Sequence, residues 1–297
     1  MSAHIIDGRA IARSIREDCG ARVRKLESEA GITPGLAVIL VGSDPASSVY
    51  VRNKIEACRK AGIQSRTFDL AESISQDELL ALIVELNACD DTHGILVQLP
   101  LPAGIDVATV LETIAPHKDV DGFHLYNLGA LVSGRTVFAP CTPYGIMKLL
   151  EHEEIEVEGQ NVVMIGASNI VGKPMAAMLT ARHATVSICH AKTRNLAQFT
   201  AMADVLIVAA GVPDLINGGM IKPGAIVIDV GINRLPDGRI VGDVSFESVR
   251  ARASRVTPVP GGVGPMTVAM LLVNTVEAAE KSAARQRDLV IDARVED

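Results

Sequence analysis

Tryptophan is absent, and five Phe and three Tyr among 297 residues leave aromatics at 3%. With hydrophobic residues at 48% and charged residues at 21%, the core must therefore be built from Val, Ile, Leu, Ala and Met, as in an α/β protein with buried parallel strands. Basic residues are outnumbered, 28 against 35 acidic, and the net charge of −7 argues against sequence-independent binding to nucleic acid or to an acidic membrane. An anionic ligand must be held by local groups. Cysteine is sparse and scattered at Cys19, Cys58, Cys89, Cys141 and Cys189, with no Cys-x-x-Cys pair, which disfavours a disulfide framework or a zinc site. Buried free thiols in a reducing compartment are expected, and no metal. No apolar run reaches the ~18–20 residues of a membrane span, and the N-terminal stretch lacks a signal-peptide apolar region, so a soluble cytoplasmic protein is expected.

The chain is long enough for two domains. Ile11, Ile15, Cys19, Val23 and Leu26 recur at helical spacing and stop before Gly31. The glycine-bounded run "GLAVILVG" follows as a buried strand, then a helix from about 45 to 60 closed by Gly62, a strand at "SRTFDL", a helix at "SQDELLALIVELNA", a strand at "GILVQLP" and a helix at "DVATVLETIA". This alternation predicts a parallel sheet with right-handed crossovers. A second series begins at "CTPYGIMKLLEHE", with Thr142 and Pro143 read as N-cap and first helical residue. Its strands, "NVVMIG", "TVSICH", "DVLIVAAG", "AIVIDVG" and "RVTPV", predict a five-stranded, Rossmann-like doubly wound sheet. The domains are expected at 1–139, completed by a helix over 265–297, and at 140–264. The charged text past 285 reads as a solvated tail or a loosely attached helix end.

"VVMIGASNIVGKPM" places Gly166 at a strand end and Gly172 at the opening of a helix. It is not Gly-x-Gly-x-x-Gly, but it can do the same work: Gly166 turns tightly, Ser168 and backbone N–H groups face an anion, and Gly172 lets helix and strand approach. The next strand ends in "CHAKTRNL", without the acid that accepts from an NAD ribose. His190, Lys192 and Arg194 favour a 2′-phosphate, hence NADP, with a plain solvated loop as the alternative.

Ligands of α/β sheets sit beyond the carboxyl ends of the strands. There, Asp44 and Pro45 start a helix on which Tyr50 and Lys54, at i and i+4, share a face. Gln98, followed by Leu99, ends an apolar strand with an amide that needs partners. Asp121 lies in "KDVDGF". Singly, these read as a surface pair, a strand end and a turn aspartate.

Together, "SDPASSVYVRNK", "GILVQLPLP", "KDVDGF", "IGASNIVGKPM", "KPGAIVIDVGIN" and "TPVPGGVGPMTVAML" resemble the bifunctional methylenetetrahydrofolate dehydrogenase/methenyltetrahydrofolate cyclohydrolase family, in order, from about residue 2 to 280. The resemblance implies NADP-dependent oxidation of 5,10-methylenetetrahydrofolate to the methenyl cation and hydrolysis of that cation to 10-formyltetrahydrofolate. It implies Lys54 as the catalytic lysine, Gln98 as the residue that holds it, Tyr50 as the aromatic flanking the folate, and Asp121 as the pterin-binding carboxylate. Leu99 and the loop Pro260, Gly261 to Gly264 are implied in the folate pocket; Gly166, Ala167, Ser168 and Ile232 in the cofactor site. Position 191 is Ala where some relatives carry Ser or Arg against the 2′-phosphate, so Lys173, Lys192 or Arg194 must substitute. A homodimer is a further implication. A dehydrogenase of a small hydroxy or amino acid, and a non-catalytic dinucleotide sensor, are the competing expectations; neither gives Tyr50, Lys54 and Gln98 a shared task.

Overall fold

The computed structural model describes residues 2–295, apart from the side chains at 45, 46, 48, 49 and 288–295. The elements run β1 (His4–Ile5), α1 (Gly8–Ala30), β2 (Gly35–Val41), α2 (Pro45–Ala61), β3 (Gln64–Leu70), α3 (Gln76–Ala88), β4 (Gly94–Val97), α4 (Val107–Thr113), α5 (Leu125–Val132) and α6 (Cys141–His152). They continue as β5 (Asn161–Ile165), α7 (Gly172–Thr180), β6 (Thr185–Cys189), α8 (Leu196–Thr200), β7 (Val205–Val208), β8 (Ile226–Asp229), β9 (Asn233–Arg234), β10 (Ile240–Val241), α9 (Phe246–Arg250), β11 (Arg255–Val256) and α10 (Val263–Val295). Two compact units result, one from the residues up to Arg13 with Gly129–Thr267, the other from Ser14–Leu128 with Val268 onward.

In the second unit β2 is central in a parallel sheet of order β3-β2-β4. All seven residues of β2 are buried, as a glycine-bounded apolar run with both faces covered requires. Its core sets Ala37, Ile39 and Val41 against Ile95 and Val97 of β4 and Leu79, Ile83 and Leu86 of α3. The helices around it are capped by local chemistry. Asp44 accepts the Ser47 N–H at 2.7 Å at the head of α2, and Gly62, at φ 82°, closes its end in the left-handed region. Ser75 and Glu78 form a reciprocal capping box on α3.

The first unit is a parallel six-stranded sheet of order β1-β11-β8-β7-β5-β6, with β9 and β10 forming an antiparallel pair of their own. The α/β architecture with a doubly wound nucleotide-type sheet is as the sequence predicts, with one strand more. That strand, β1, has two residues, and its partner is β11 through His4↔Arg255 and Ile5↔Val256. The start of α6 also differs from expectation: it begins at Cys141 after Pro140, and Pro143 sits inside the first turn, where its missing N–H would have had no helical partner. Thr142 does not cap; its hydroxyl pairs with that of Thr267 at 3.0 Å.

The cysteines are free, four of them buried and Cys89 half-buried. The Cys89 thiol, held by Thr92 and by Arg66, is lowered from its ordinary range. The charged segment past 285 continues α10 to Val295, with Ala284 to Arg287 exposed; the solvated-tail expectation otherwise falls on side chains outside the described residues. No helix among the described residues is long and apolar enough to cross a membrane.

Candidate active site

Just past the carboxyl end of β4, three of the expected residues, Lys54 from the middle of α2, Gln98 and Leu99, meet. Lys54 is only 7% exposed, and its Nζ donates to Gln98 Oε1 at 3.1 Å. Gln98 in turn donates from Nε2 to the Leu99 carbonyl at 2.7 Å, while its own N–H continues the β2 ladder to Ile39 O at 2.9 Å. The amide is thereby fixed at both ends and presents its oxygen to the amine. No ion pair among the described residues includes Lys54, so this buried amine rests on a neutral amide oxygen.

Tyr50 is half-buried one turn earlier on α2, and burial pushes its hydroxyl above the usual phenol range. Deeper on the same helix, burial pushes the Cys58 thiol up to about 12 even with Lys54 nearby. α2 thus buries Val51, Ala57 and Cys58 and extends the Lys54 amine to Gln98 at the end of β4. Asp121, half-buried, lies two residues past a bridge between Asp119 and Ile95 of β4, in the same unit as Lys54 and Gln98.

That turn is held by a residue the sequence reading passed over. Asp119, 1% exposed, accepts N–H bonds from Gly122 at 3.1 Å and His124 at 2.8 Å, and the Asn127 side-chain amide at 2.8 Å. Burial pushes its carboxyl upward against those donors. From α10, Asn274 adds a bond to the Val120 carbonyl at 2.8 Å. The signal was present in "KDVDGF": two acids in one turn, the first directly after a residue that must pair with a buried strand.

In the other unit, Gly166 ends β5 at φ 112°, and a Cβ there would lie 2.1 Å from the Ala209 carbonyl oxygen. A Cβ on Gly172 would lie 2.0 Å from the Gly166 oxygen. Both positions need glycine for close backbone approach, the requirement inferred from sequence. Ser168 Oγ accepts from Val171 N at 3.1 Å and Gly172 N at 3.4 Å at the helix start, which leaves its O–H as a donor.

Past β6, His190, Lys192 and Arg194 are exposed, and the turn is closed by His190 N to Thr193 Oγ1 and Lys192 N to His190 Nδ1. Lys173, also exposed, donates to Asn169 Oδ1 at 2.7 Å. Among the described residues no ion pair uses Lys192 or Arg194, so two cations stand available beside the turn. Ile232, 48% exposed, follows β8. Pro260, Gly261 and Gly264 belong to this unit too, with Gly261 at φ 118°.

A turn in which Gly166 and Gly172 must be glycine, in a unit that also exposes the cations Lys192 and Arg194, suits a phosphorylated dinucleotide. Residues 6–121 match the tetrahydrofolate dehydrogenase/cyclohydrolase catalytic domain and residues 140–283 the NAD(P)-binding domain of the same family. A bifunctional protein FolD of Nitrosospira multiformis is 59% identical over 285 residues, covering 96% of this chain and 99% of the relative. The chain belongs to the tetrahydrofolate dehydrogenase/cyclohydrolase family.

The structural likeness within this family is as strong. The bifunctional FolD enzyme of Campylobacter jejuni superposes with a TM-score of 0.93 at 54% identity, over 94% of this chain and 99% of that one. The Trypanosoma brucei dehydrogenase-cyclohydrolase, solved with NADP and an inhibitor, gives 0.91 at 38% identity over 95% and 99%. As a member of the tetrahydrofolate dehydrogenase/cyclohydrolase family, the chain carries its two matched domains in the family's order. Among the described residues no group of three His, Cys, Asp or Glu is placed to hold a metal.

Proposed function

We propose that the Lys54–Gln98 pair is the acid-base centre of a bifunctional folate enzyme, which oxidises 5,10-methylenetetrahydrofolate with NADP and hydrolyses the resulting methenyl cation to 10-formyltetrahydrofolate. The observation that carries this is the 3.1 Å bond from a buried amine to an amide that is itself anchored on the Leu99 carbonyl. NADP, when bound, supplies the two-electron acceptor for the oxidation. Gly166, Ala167, Ser168 and Ile232 would line its site, with Lys173, His190, Lys192 and Arg194 toward the 2′-phosphate.

Hydrolysis places both of water's protons: one ends on the ring nitrogen released when its bond to the one-carbon unit breaks, and the other leaves. Lys54 Nζ takes the proton from the attacking water and hands it on, and Gln98 keeps that nitrogen in place. Tyr50 flanks the folate. Asp121 accepts from the pterin amino group and adjacent ring N–H, two donors side by side that suit a carboxylate. Leu99, Pro260, Gly261 and Gly264 complete the folate-binding set, with functional boundaries near 139 and 264. A dehydrogenase of a small hydroxy or amino acid would give the Lys54–Gln98 bond no task.

A homodimer is part of this proposal. Among the described residues β6 lies at the sheet edge and pairs with β5 alone, and its Ile188 is 42% exposed, which leaves unpaired backbone groups beside apolar surface. Sedimentation at monomer mass would overturn it. The acidic balance speaks against a nucleic-acid partner, and the scattered free thiols suit the cytoplasm.

The chemistry is tested by following methenyl absorbance after mixing methylenetetrahydrofolate with NADP or NAD. Absence of the methenyl species with both cofactors overturns the oxidation; a methenyl species that persists at its uncatalysed rate overturns the hydrolysis.

A further inference from the structure

Two fully enclosed carboxylates have no part in the chemistry above. Asp229, 2% exposed, ends β8, and Asp243, with no exposure, lies just past β10. Asp243 is the hub. Its Oδ2 accepts the N–H groups of Ala210 at 2.6 Å and Gly211 at 2.9 Å, and its Oδ1 accepts that of Val212 at 3.0 Å and the Asn233 side-chain amide at 2.8 Å. Asp229 holds the hub: it accepts the N–H groups of Asp243 at 2.9 Å, Val244 at 3.1 Å and Gly231 at 3.0 Å.

The backbone is shaped to admit both groups. A Cβ on Gly231 would fall 2.2 Å from Asp243 Oδ1, and one on Gly242 would fall 1.8 Å from Asp229 Oδ2. The glycines therefore make room for carboxylates rather than for turns.

Asp243 ties together two loops, the one leaving β7 and the one leaving β8, at the carboxyl ends of neighbouring parallel strands. Each loop displays a single large apolar side chain to solvent: Val212 at 47% exposure and Ile232 at 48%. The β7 loop also abuts the glycine turn, since Ala209 donates to Ile165 O at 2.7 Å and its carbonyl fills the space a Cβ on Gly166 would need. A ligand crossing the carboxyl end of this sheet from the Gly166 turn meets Val212 and Ile232 next.

We propose that Asp243 is the positioning residue for the redox-active half of the dinucleotide: it locks the β7 and β8 loops before binding, so that Val212 and Ile232 form a preset apolar seat for the nicotinamide ring. This rests on the dinucleotide assignment made above. An amide at 243 has one acceptor oxygen and turns an NH2 donor toward backbone N–H groups, so it cannot hold both loops. If the freed loops occupy the locked arrangement a tenth of the time or less, the apparent dissociation constant rises at least about tenfold.

The test is calorimetric titration of NADP into the full-length wild-type, Asp243→Asn and Asn233→Ala proteins, paired with methenyl hydrolysis measured without NADP. Expected are a rise of at least about tenfold in the NADP dissociation constant for D243N and a smaller rise, about threefold or more, for N233A, which frees only the β8 loop. Hydrolysis, whose acid-base pair Lys54 and Gln98 lies in the other unit, and a cooperative thermal melt together report that the protein is folded, and a variant that has lost either is set aside in favour of the other variant. Binding within twofold of wild type in a folded variant overturns the positioning role. A wild-type protein that itself binds no NADP overturns the dinucleotide assignment instead, and this proposal with it.

Discussion

Replacing Lys54 by Met removes the amine while keeping the stem that packs in α2. A positioned acid-base group contributes about 10²–10⁴ in rate, or about 3–5 kcal/mol of barrier. The cost to stability is much smaller, because a volume-conserving change to Met at a site that is 7% exposed stays within about 1.5 kcal/mol, and the partner left behind, Gln98 Oε1, is half-buried and within reach of water. Activity and stability therefore separate. Hydrolysis is read as decay of methenyl absorbance and oxidation as its appearance with NADP; K54M is expected to lose hydrolysis by about 10²–10⁴ while the methenyl species accumulates during oxidation. Gln98→Ala, which removes the 3.1 Å bond together with the amide's own anchor on the Leu99 carbonyl, should cost about 1–2 kcal/mol of the same barrier. Hydrolysis by K54M within threefold of wild type would refute the proton-transfer role. So would an equal loss of both activities accompanied by a large drop in melting temperature, since that is the signature of a structural lysine.

Three further outcomes follow from the geometry. Gly166→Ala forces a Cβ at φ 112° onto a carbonyl oxygen 2.1 Å away, so apo stability should fall by about 2–5 kcal/mol in denaturant titration and NADP binding should be lost; a fully stable, NADP-binding G166A would remove the close-approach argument. Lys192→Ala with Arg194→Ala should raise KM for NADP about 10- to 100-fold with KM for NAD little changed, and a matched rise for both cofactors would place the 2′-phosphate elsewhere. Burial holds the Asp229 carboxyl at about 6 against an ordinary 3.8, so the folded chain binds that proton more tightly than the unfolded one; the linked stability, about 3 kcal/mol, is present below about pH 4 and lost as pH rises to about 6. The wild-type stability advantage over Asp229→Asn should accordingly shrink across that window in urea unfolding, and an advantage that grows with pH would exclude burial as the cause.

The strands that were legible in the sequence are those whose two buried faces make them continuous apolar runs, such as β2 with all seven residues buried and β7 with all four. β1 was not legible, because two residues carry no period and their partner, β11, lies some 250 positions away. The start of α6 was misread for a local reason: Thr-Pro mimics a cap and first turn, and only the fold shows that Thr142 is taken by Thr267. In the site, Tyr50 and Lys54 were readable from helix spacing, and Gln98 stood out as an amide closing an apolar strand. Asp119 takes its partners from Gly122, His124 and Asn127 close by in the chain, so its turn was within reach of the sequence, whereas Asp243 did not stand out, since the N–H groups it holds, on Ala210, Gly211 and Val212, are brought to it by tertiary approach.

The pairing of β1 with β11 has a consequence for biosynthesis. The six-stranded sheet takes its outermost strand from residues 4–5, and that strand must wait for residues 255–256 to leave the ribosome before it has a partner. The other unit waits longer, because Asn274, near the far end of the chain, supplies the bond to Val120 that ties down the aspartate turn. Neither unit is a contiguous stretch, so no single cut yields two self-sufficient fragments, and vectorial synthesis must deliver nearly the whole polypeptide before either one is finished.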